Sequence, residues 1–312
     1  MKYCIVSGDS SAAAMFHGIT SEEKVMALTL QKKIREDTML RTGFFSLAES
    51  VFGISFRDWY AEGNWTDRYI PYALAENGRV VSNVSVNLMD FSFQGMHRRY
   101  VQLGTVMTDP GYRGRGLSRI LMEEAIRDYR EKCDALYLFA NETVLGFYPK
   151  FGFRQAEECR LSVPVTPEKA KRRRLDLSKE ADCTLFLSCY QRSNPYSDFA
   201  MIENPGLLLF HCSFLQDCVF YFDDWDVAVV TQQEGETLTC YDIYGRGELP
   251  LQRLLSMSAV PGVQRAVLGF TPIETENMTQ MPPTEDDNLF LLDGRENLFL
   301  ENRMMFPLLS HA

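Results

Sequence analysis

Long apolar runs are missing from this sequence: no stretch approaches the ~20 residues that cross a bilayer. The opening segment MKYCIVSGDSSAAAMFHG has only a short apolar patch, too short for a signal peptide. Eight cysteines are present, at 4, 133, 159, 183, 189, 212, 218 and 240, but no C-x-x-C pair, which removes the usual zinc and thioredoxin-like motifs. The four histidines (His17, His97, His211, His311) are too scattered to build a metal site by spacing. A basic surplus is also lacking. Lys and Arg number 32 against 42 Asp and Glu, a net charge of −10, which argues against general nucleic-acid binding. The one basic run, KAKRRR (169–174), lies between two patterned regions and is expected as a solvated linker. These absences describe a cytoplasmic protein with reduced thiols, no membrane, no nucleic acid and no metal. The acidic balance suits a cationic or amine partner, and a homo-oligomer stays open.

What is present is a patterned chain of 312 residues, 46% hydrophobic, enough for two domains. Residues 1–24 show no period and read as an N-terminal extension. MALTLQKKI (26–34) reads as a strand, and 38–52 has Leu40, Phe44, Leu47 and Val51 at helical spacing. Residues 69–93 read as a hairpin turning at Asn77-Gly78. A strand (100–108), an amphipathic helix (117–132), a strand (134–141) and a short helix with a turn (142–153) follow, with a final strand near 157–165. Beyond the basic run, helices at 177–194 and 206–216 precede strands over 218–245, a helix (249–259) and a strand (263–272). Strand, helix, strand at 237–272 echoes strand, helix, strand at 100–141, a structural duplication. The expected layout is an extension (1–25), a first domain (26–166), a basic linker (167–178) and a second domain (179–312), of α/β (α+β) class.

The turn YRGRGLS (112–118) joins strand 100–108 to helix 117–132. A Gly-rich turn opening a helix gathers unpaired backbone N–H groups and the positive end of the helix dipole, the physics of a phosphate cradle. A P-loop would need Lys-[Ser/Thr] to close it, and none does. A dinucleotide fingerprint would need a third glycine after Gly114 and Gly116, and an early βαβ position. A pyrophosphate turn of the form R-x-x-G-x-[GAS] is matched by Arg113, Gly116 and Ser118.

VMTDPGYRGRGLS (106–118), ALYLFAN (135–141) and FYPKFGF (147–153), in this order, resemble the acetyl-CoA-binding motifs of the GCN5-related N-acetyltransferase (GNAT) superfamily over about 50 residues. The resemblance implies a GNAT fold with a splayed mixed sheet, and a second, degenerate GNAT-like domain lacking the cofactor motif. The complete first unit followed by a degenerate one is similar to the Eis-type (enhanced intracellular survival) branch, although this chain has no room for a full third domain. The implied activity is an N-acetyltransferase using acetyl-CoA, with coenzyme A as product and an amine of a small molecule or peptide as acceptor. The alternative is a non-catalytic acyl-CoA-binding or regulatory protein.

By the same resemblance, the backbone of Val106, Met107 and Thr108 takes the pantetheine arm. The amides of Gly114, Arg115, Gly116, Leu117 and Ser118 take the pyrophosphate, with charge added by Arg113 and Arg115. Ser118 departs from the family's Gly or Ala. Tyr148 stands where the family's general acid stands. Asn141 is expected either to contact the cofactor or to cap a helix. Asp58, Trp59 and Trp65, with Phe56 and Asp67, suit a cation-binding acceptor wall, or else a cluster that only packs. In the Eis-type branch the C-terminal carboxylate enters the active site. The apolar end NRMMFPLLSHA (302–312) is therefore expected to dock, bringing Ala312, with His311, near Tyr148 as a base.

Overall fold

A computed structural model of the chain describes residues 4–7, 27–282 and 288–312. The chain divides into two compact units, residues 1–87 with 103–132, and residues 88–102 with 133–312.

The first unit is one face-covered sheet. Its strands are β1 (Cys4–Ser7), β2 (Ala27–Gln31), β3 (Tyr69–Glu76) and the adjoining parts of β4 (Arg79–Phe93) and β5 (Met96–Thr108), hydrogen-bonded in that order. β1 runs parallel to β2, so Cys4–Ser7 is an edge strand and not part of a loose extension; the rest of 1–25 lies outside the described residues. Helix α1 (Thr38–Phe52) starts where Asp37 accepts from the N–H groups of Met39 and Leu40, and stops at Gly53, whose φ of 68° suits glycine. Its Leu40, Phe44, Leu47 and Ala48 are buried. The short α2 (Arg57–Ala61) follows. The hairpin β3–β4 turns at Asn77 and Gly78, with φ of 51° and 81°, the two left-handed positions that Asn-Gly tolerates. Helix α3 (Leu117–Tyr129) buries Leu117, Leu121, Met122 and Ala125.

In the second unit, β5 pairs in parallel with β6 (Ala135–Ala140) from Tyr100↔Ala135 to Gln102↔Tyr137, and the registered ladder ends there although β5 runs on to Thr108. β7 (Phe153–Gln155) and β8 (Leu161–Pro164) follow. The basic run is largely exposed, and its end is held in a short strand. Arg173–Arg174 forms β9, Arg173 pairs with Asp182 and Asp223, and Arg174 pairs with Asp217. Acidic neighbours distant in sequence supply the counter-charge. Then come α4 (Glu180–Tyr190), β10 (Ser197–Ile202), α5 (Pro205–Phe214), β11 (Val219–Phe222), β12 (Val227–Glu234), β13 (Thr237–Gly245), α6 (Leu251–Ser258), β14 (Arg265–Leu268), β15 (Thr271–Pro272), β16 (Thr279–Gln280) and β17 (Asn288–Leu292).

A seven-stranded sheet runs β16-β8-β14-β13-β12-β11-β9. In it β13 and β14 are parallel and joined through α6. β17 inserts between β6 and β7, antiparallel to both. The expected final strand near 157–165 is β8, and it belongs to the seven-stranded sheet. The largest core of this unit centres on Phe306, whose ring stacks on Tyr137 at 4.0 Å and packs on Phe91, Tyr100 and Phe199. Met304, Met305, Leu309 and Ser310 are buried with it.

Candidate active site

The turn after β5 is built for an anion. Gly114 and Gly116 both hold φ of 75°, and a Cβ placed on either would meet nothing within 4 Å. Glycine is needed here for its left-handed backbone, and the space beside it is open. Gly116 is the N-cap of α3 and offers no side-chain hydrogen bond, so the first N–H groups of the helix have no side-chain cap. Ser118 Oγ lies 2.8 Å from Thr108 Oγ1, which lies 2.8 Å from Ser82 Oγ, tying the start of α3 to the end of β5. Arg113 donates from Nε to the Thr108 carbonyl at 3.3 Å and is exposed. Arg115 donates to the Gly111 carbonyl at 2.8 Å, its guanidinium 4.7 Å from the Tyr112 ring centroid. Two arginines beside open glycines bring the charge that suits a diphosphate.

The comparable turn before α6 is shut. A Cβ on Gly245 would come within 2.5 Å of the Asp226 carbonyl, and one on Gly247 within 2.7 Å of Pro195. Those glycines serve close packing and leave no cradle.

Tyr148 opens a short 3-10 turn (Tyr148–Phe151) that ends at Gly152, φ 86°. Its ring is 5% exposed and packs on Phe147, Phe153 and Phe290. Among the described residues no hydrogen bond to its hydroxyl is seen, and burial pushes the phenol up to about 12. Asn141 is exposed and caps the next turn, accepting from Thr143 N at 3.1 Å.

Ala312 packs at the edge of the second unit's core, and its main-chain oxygen accepts from Gln102 Nε2 at 2.9 Å. The His311 carbonyl lies 2.7 Å from His211 Nε2, and the His311 ring stacks on Phe139 at 3.8 Å. Burial, with the charges of His211 and Arg160, holds the His311 imidazole down at about 3, so it is neutral and weakly basic. Tyr148 and His311 attach to different faces of one ladder. Leu138 pairs with Phe290 and Phe139 with Leu289, and neighbouring strand residues point to opposite faces. Tyr148 lies with Phe290, and His311 with Phe139.

Trp59 and Trp65 are 8% and 3% exposed, stacked on each other at 6.0 Å within a ring cluster that includes Phe44, Phe56 and Tyr69. Asp58 is exposed on α2, and Asp67 pairs with Arg35. The two indoles thus face other rings, while the two carboxylates face solvent.

Gln102 of the second unit escaped sequence reasoning, as did, in the first unit, the polar group of buried Tyr69, Asn83 and Ser85 with half-buried Thr105. The available signal was β4 itself, where Ser82, Asn83, Ser85 and Asn87 occupy buried strand positions that apolar residues usually fill.

Among the described residues no helix is long and apolar enough to cross a membrane. No curated protein matches the sequence. Residues 32–156 match the acetyltransferase (GNAT) domain family. The chain is similar in fold to a GCN5-related N-acetyltransferase from Kribbella flavida, with 14% identity and a TM-score of 0.55 over 85% of this chain and 70% of that one. Eis1 from Mycobacterium abscessus gives 14% identity and 0.56 over 84% and 72%. A GCN5-related N-acetyltransferase from Anabaena variabilis gives 15% and 0.55 over 85% and 72%. Residues 32–156 thus match an acetyltransferase (GNAT) domain, and the chain shares its fold with solved GCN5-related N-acetyltransferases and with Eis1.

Proposed function

We propose that the protein is an acetyl-CoA-dependent N-acetyltransferase acting on an amine of a small molecule or peptide. The observation that carries this reading is the open, uncapped glycine turn at the start of α3, inside a domain of an acetyltransferase family. Its amides from Gly114 to Ser118, with Arg113 and Arg115, hold the diphosphate of acetyl-CoA. The backbone of Val106, Met107 and Thr108 holds the pantetheine arm, and Asn141 borders it. Bound acetyl-CoA supplies an activated acyl group on a thiol leaving group.

Tyr148 is the general acid. A phenol raised to about 12 stays protonated at neutral pH. It is also a weaker acid than a free one, against a thiol of ~8.5 in water. Burial raises a thiol in the same direction as a phenol, so a thiolate leaving group in a closed site takes its proton from Tyr148.

The Ala312 carboxylate, held by Gln102, is the general base. Asp58, exposed on α2 beside the buried Trp59, borders the acceptor. Removing His311 and Ala312 is expected to lower kcat about 100-fold with the KM for acetyl-CoA unchanged. An unchanged kcat would remove Ala312 from the site.

The test of the function itself is free-thiol release from acetyl-CoA with a panel of amines: aminoglycosides, polyamines and peptides with free N-termini. Release with at least one class supports transfer. Cofactor binding without release on any amine would instead favour a non-catalytic acyl-CoA-binding or regulatory protein.

A further inference from the structure

The Asn77-Gly78 turn of the first hairpin is flanked by two opposite charges, Glu76 and Arg79, which stand opposite each other in the β3–β4 register. Such a pair commonly bonds across its own turn. Here both side chains reach to the cradle turn instead. Arg79 pairs with Asp109 at 2.5 Å, Asp109 Oδ1 accepts from the Gly111 N–H at 2.8 Å, and the Gly111 carbonyl accepts from Arg115 Nη2 at 2.8 Å. Glu76 Oε2 accepts from the Tyr112 hydroxyl at 2.5 Å, and the Arg115 guanidinium carbon lies 4.7 Å from the centroid of the Tyr112 ring. Two braces that start on either side of one hairpin turn therefore end on one guanidinium. One holds its edge and the other holds its face.

The second brace is electronic as well as steric. A phenol that donates to a carboxylate gains electron density, and its ring face attracts a cation more strongly. The bond to Glu76, with burial, raises the Tyr112 phenol, which keeps its proton and goes on donating. By charge alone Glu76 is badly placed, because a carboxylate beside a diphosphate site repels the ligand. It is also a poor choice for the fold: its Oε1 is shielded from solvent and makes no hydrogen bond among the described residues. We propose that Glu76 and Tyr112 are positioning residues that hold the Arg115 guanidinium in place before the diphosphate of coenzyme A arrives. This inference rests on the cofactor reading above. An arginine loose in solvent surrenders rotamer freedom when it grips a ligand, and one already braced surrenders less. Glu76 thus strengthens the binding of an anion through the ring that it polarises.

Calorimetric titration of the full chain with coenzyme A tests this, because charge and position predict opposite signs. Glu76→Leu removes a negative charge, which by repulsion alone would tighten binding. Loss of the brace should instead weaken it by about five- to tenfold, with thermal stability little changed. Glu76→Gln keeps an acceptor for Tyr112 and should retain the wild-type affinity. Tyr112→Phe keeps the ring but loses the bond, so it should weaken binding in the same direction, and it carries the test if Glu76→Leu does not fold. Neither substitution should have a further effect in a chain that also carries Arg115→Met. An affinity that is equal or higher in Glu76→Leu overturns the proposal. So does a loss of the same size with and without Arg115→Met, which would place the effect away from the guanidinium. A wild type that binds no coenzyme A would overturn the acetyl-CoA reading itself, whereas binding that ignores Glu76 and Tyr112 overturns this inference alone.

Discussion

Tyr148→Phe is expected to lower kcat by roughly 100- to 10,000-fold, the range a positioned general acid contributes, while the KM for acetyl-CoA stays within about twofold of wild type. The variant should fold normally. The ring keeps its contacts with Phe147, Phe153 and Phe290, and no described residue loses a hydrogen-bond partner. The wild-type pH profile carries the same assignment. With the phenol raised to about 12, Tyr148 keeps its proton well above neutrality, so kcat should show no alkaline fall up to about pH 10. Any rise on the acid side then reports deprotonation of the amine. Steady-state kinetics from pH 6 to 10 on wild type and Tyr148→Phe would check both statements. A residual kcat near wild type would place the acid elsewhere.

Gly116→Val is expected to abolish useful cofactor binding, weakening acetyl-CoA on the order of 100-fold or more. Two effects combine. A β-branched residue at φ 75° is strained by about 1–3 kcal/mol. The added side chain also stands in the open space where the diphosphate would meet the helix N-terminus, and each charge-assisted bond lost there is worth ~1.5–3 kcal/mol. Because a Cβ at Gly116 meets no protein atom within 4 Å, the substitution should cost little in packing, and thermal unfolding should separate the two effects. Calorimetric titration with coenzyme A gives the affinity. Equal affinities in wild type and variant would show that this turn does not carry the cofactor.

The features that were legible from residues alone are those set by neighbours in the chain. Helix α1 could be bounded because Leu40, Phe44 and Leu47 recur at its period and Gly53 ends it. The hairpin could be placed because Asn77-Gly78 accepts two positive φ values. The cradle could be found because Gly114 and Gly116 bracket an arginine between a strand and a helix. What escaped depends on partners far away in sequence. Nothing near Arg173 and Arg174 announces Asp223 or Asp217. The aromatic-acidic stretch allowed two readings of Trp59 and Trp65, and only packing shows that their rings face each other. Gln102 became visible once the chain end folded back against it.

The insertion of β17 has a consequence for how the protein is made. β6 and β7 are separated in space by a strand that begins only at Asn288. A ribosome that has delivered Gln155 must add about 130 residues more, on the order of ten seconds of synthesis at ~10 residues per second, before that gap is filled. Throughout this interval β6, a run of Ala-Leu-Tyr-Leu-Phe-Ala, has one edge without the strand that will cover it. The nascent chain bearing Tyr148 therefore depends on its own late segment, or on a chaperone, to keep that edge from pairing with another copy.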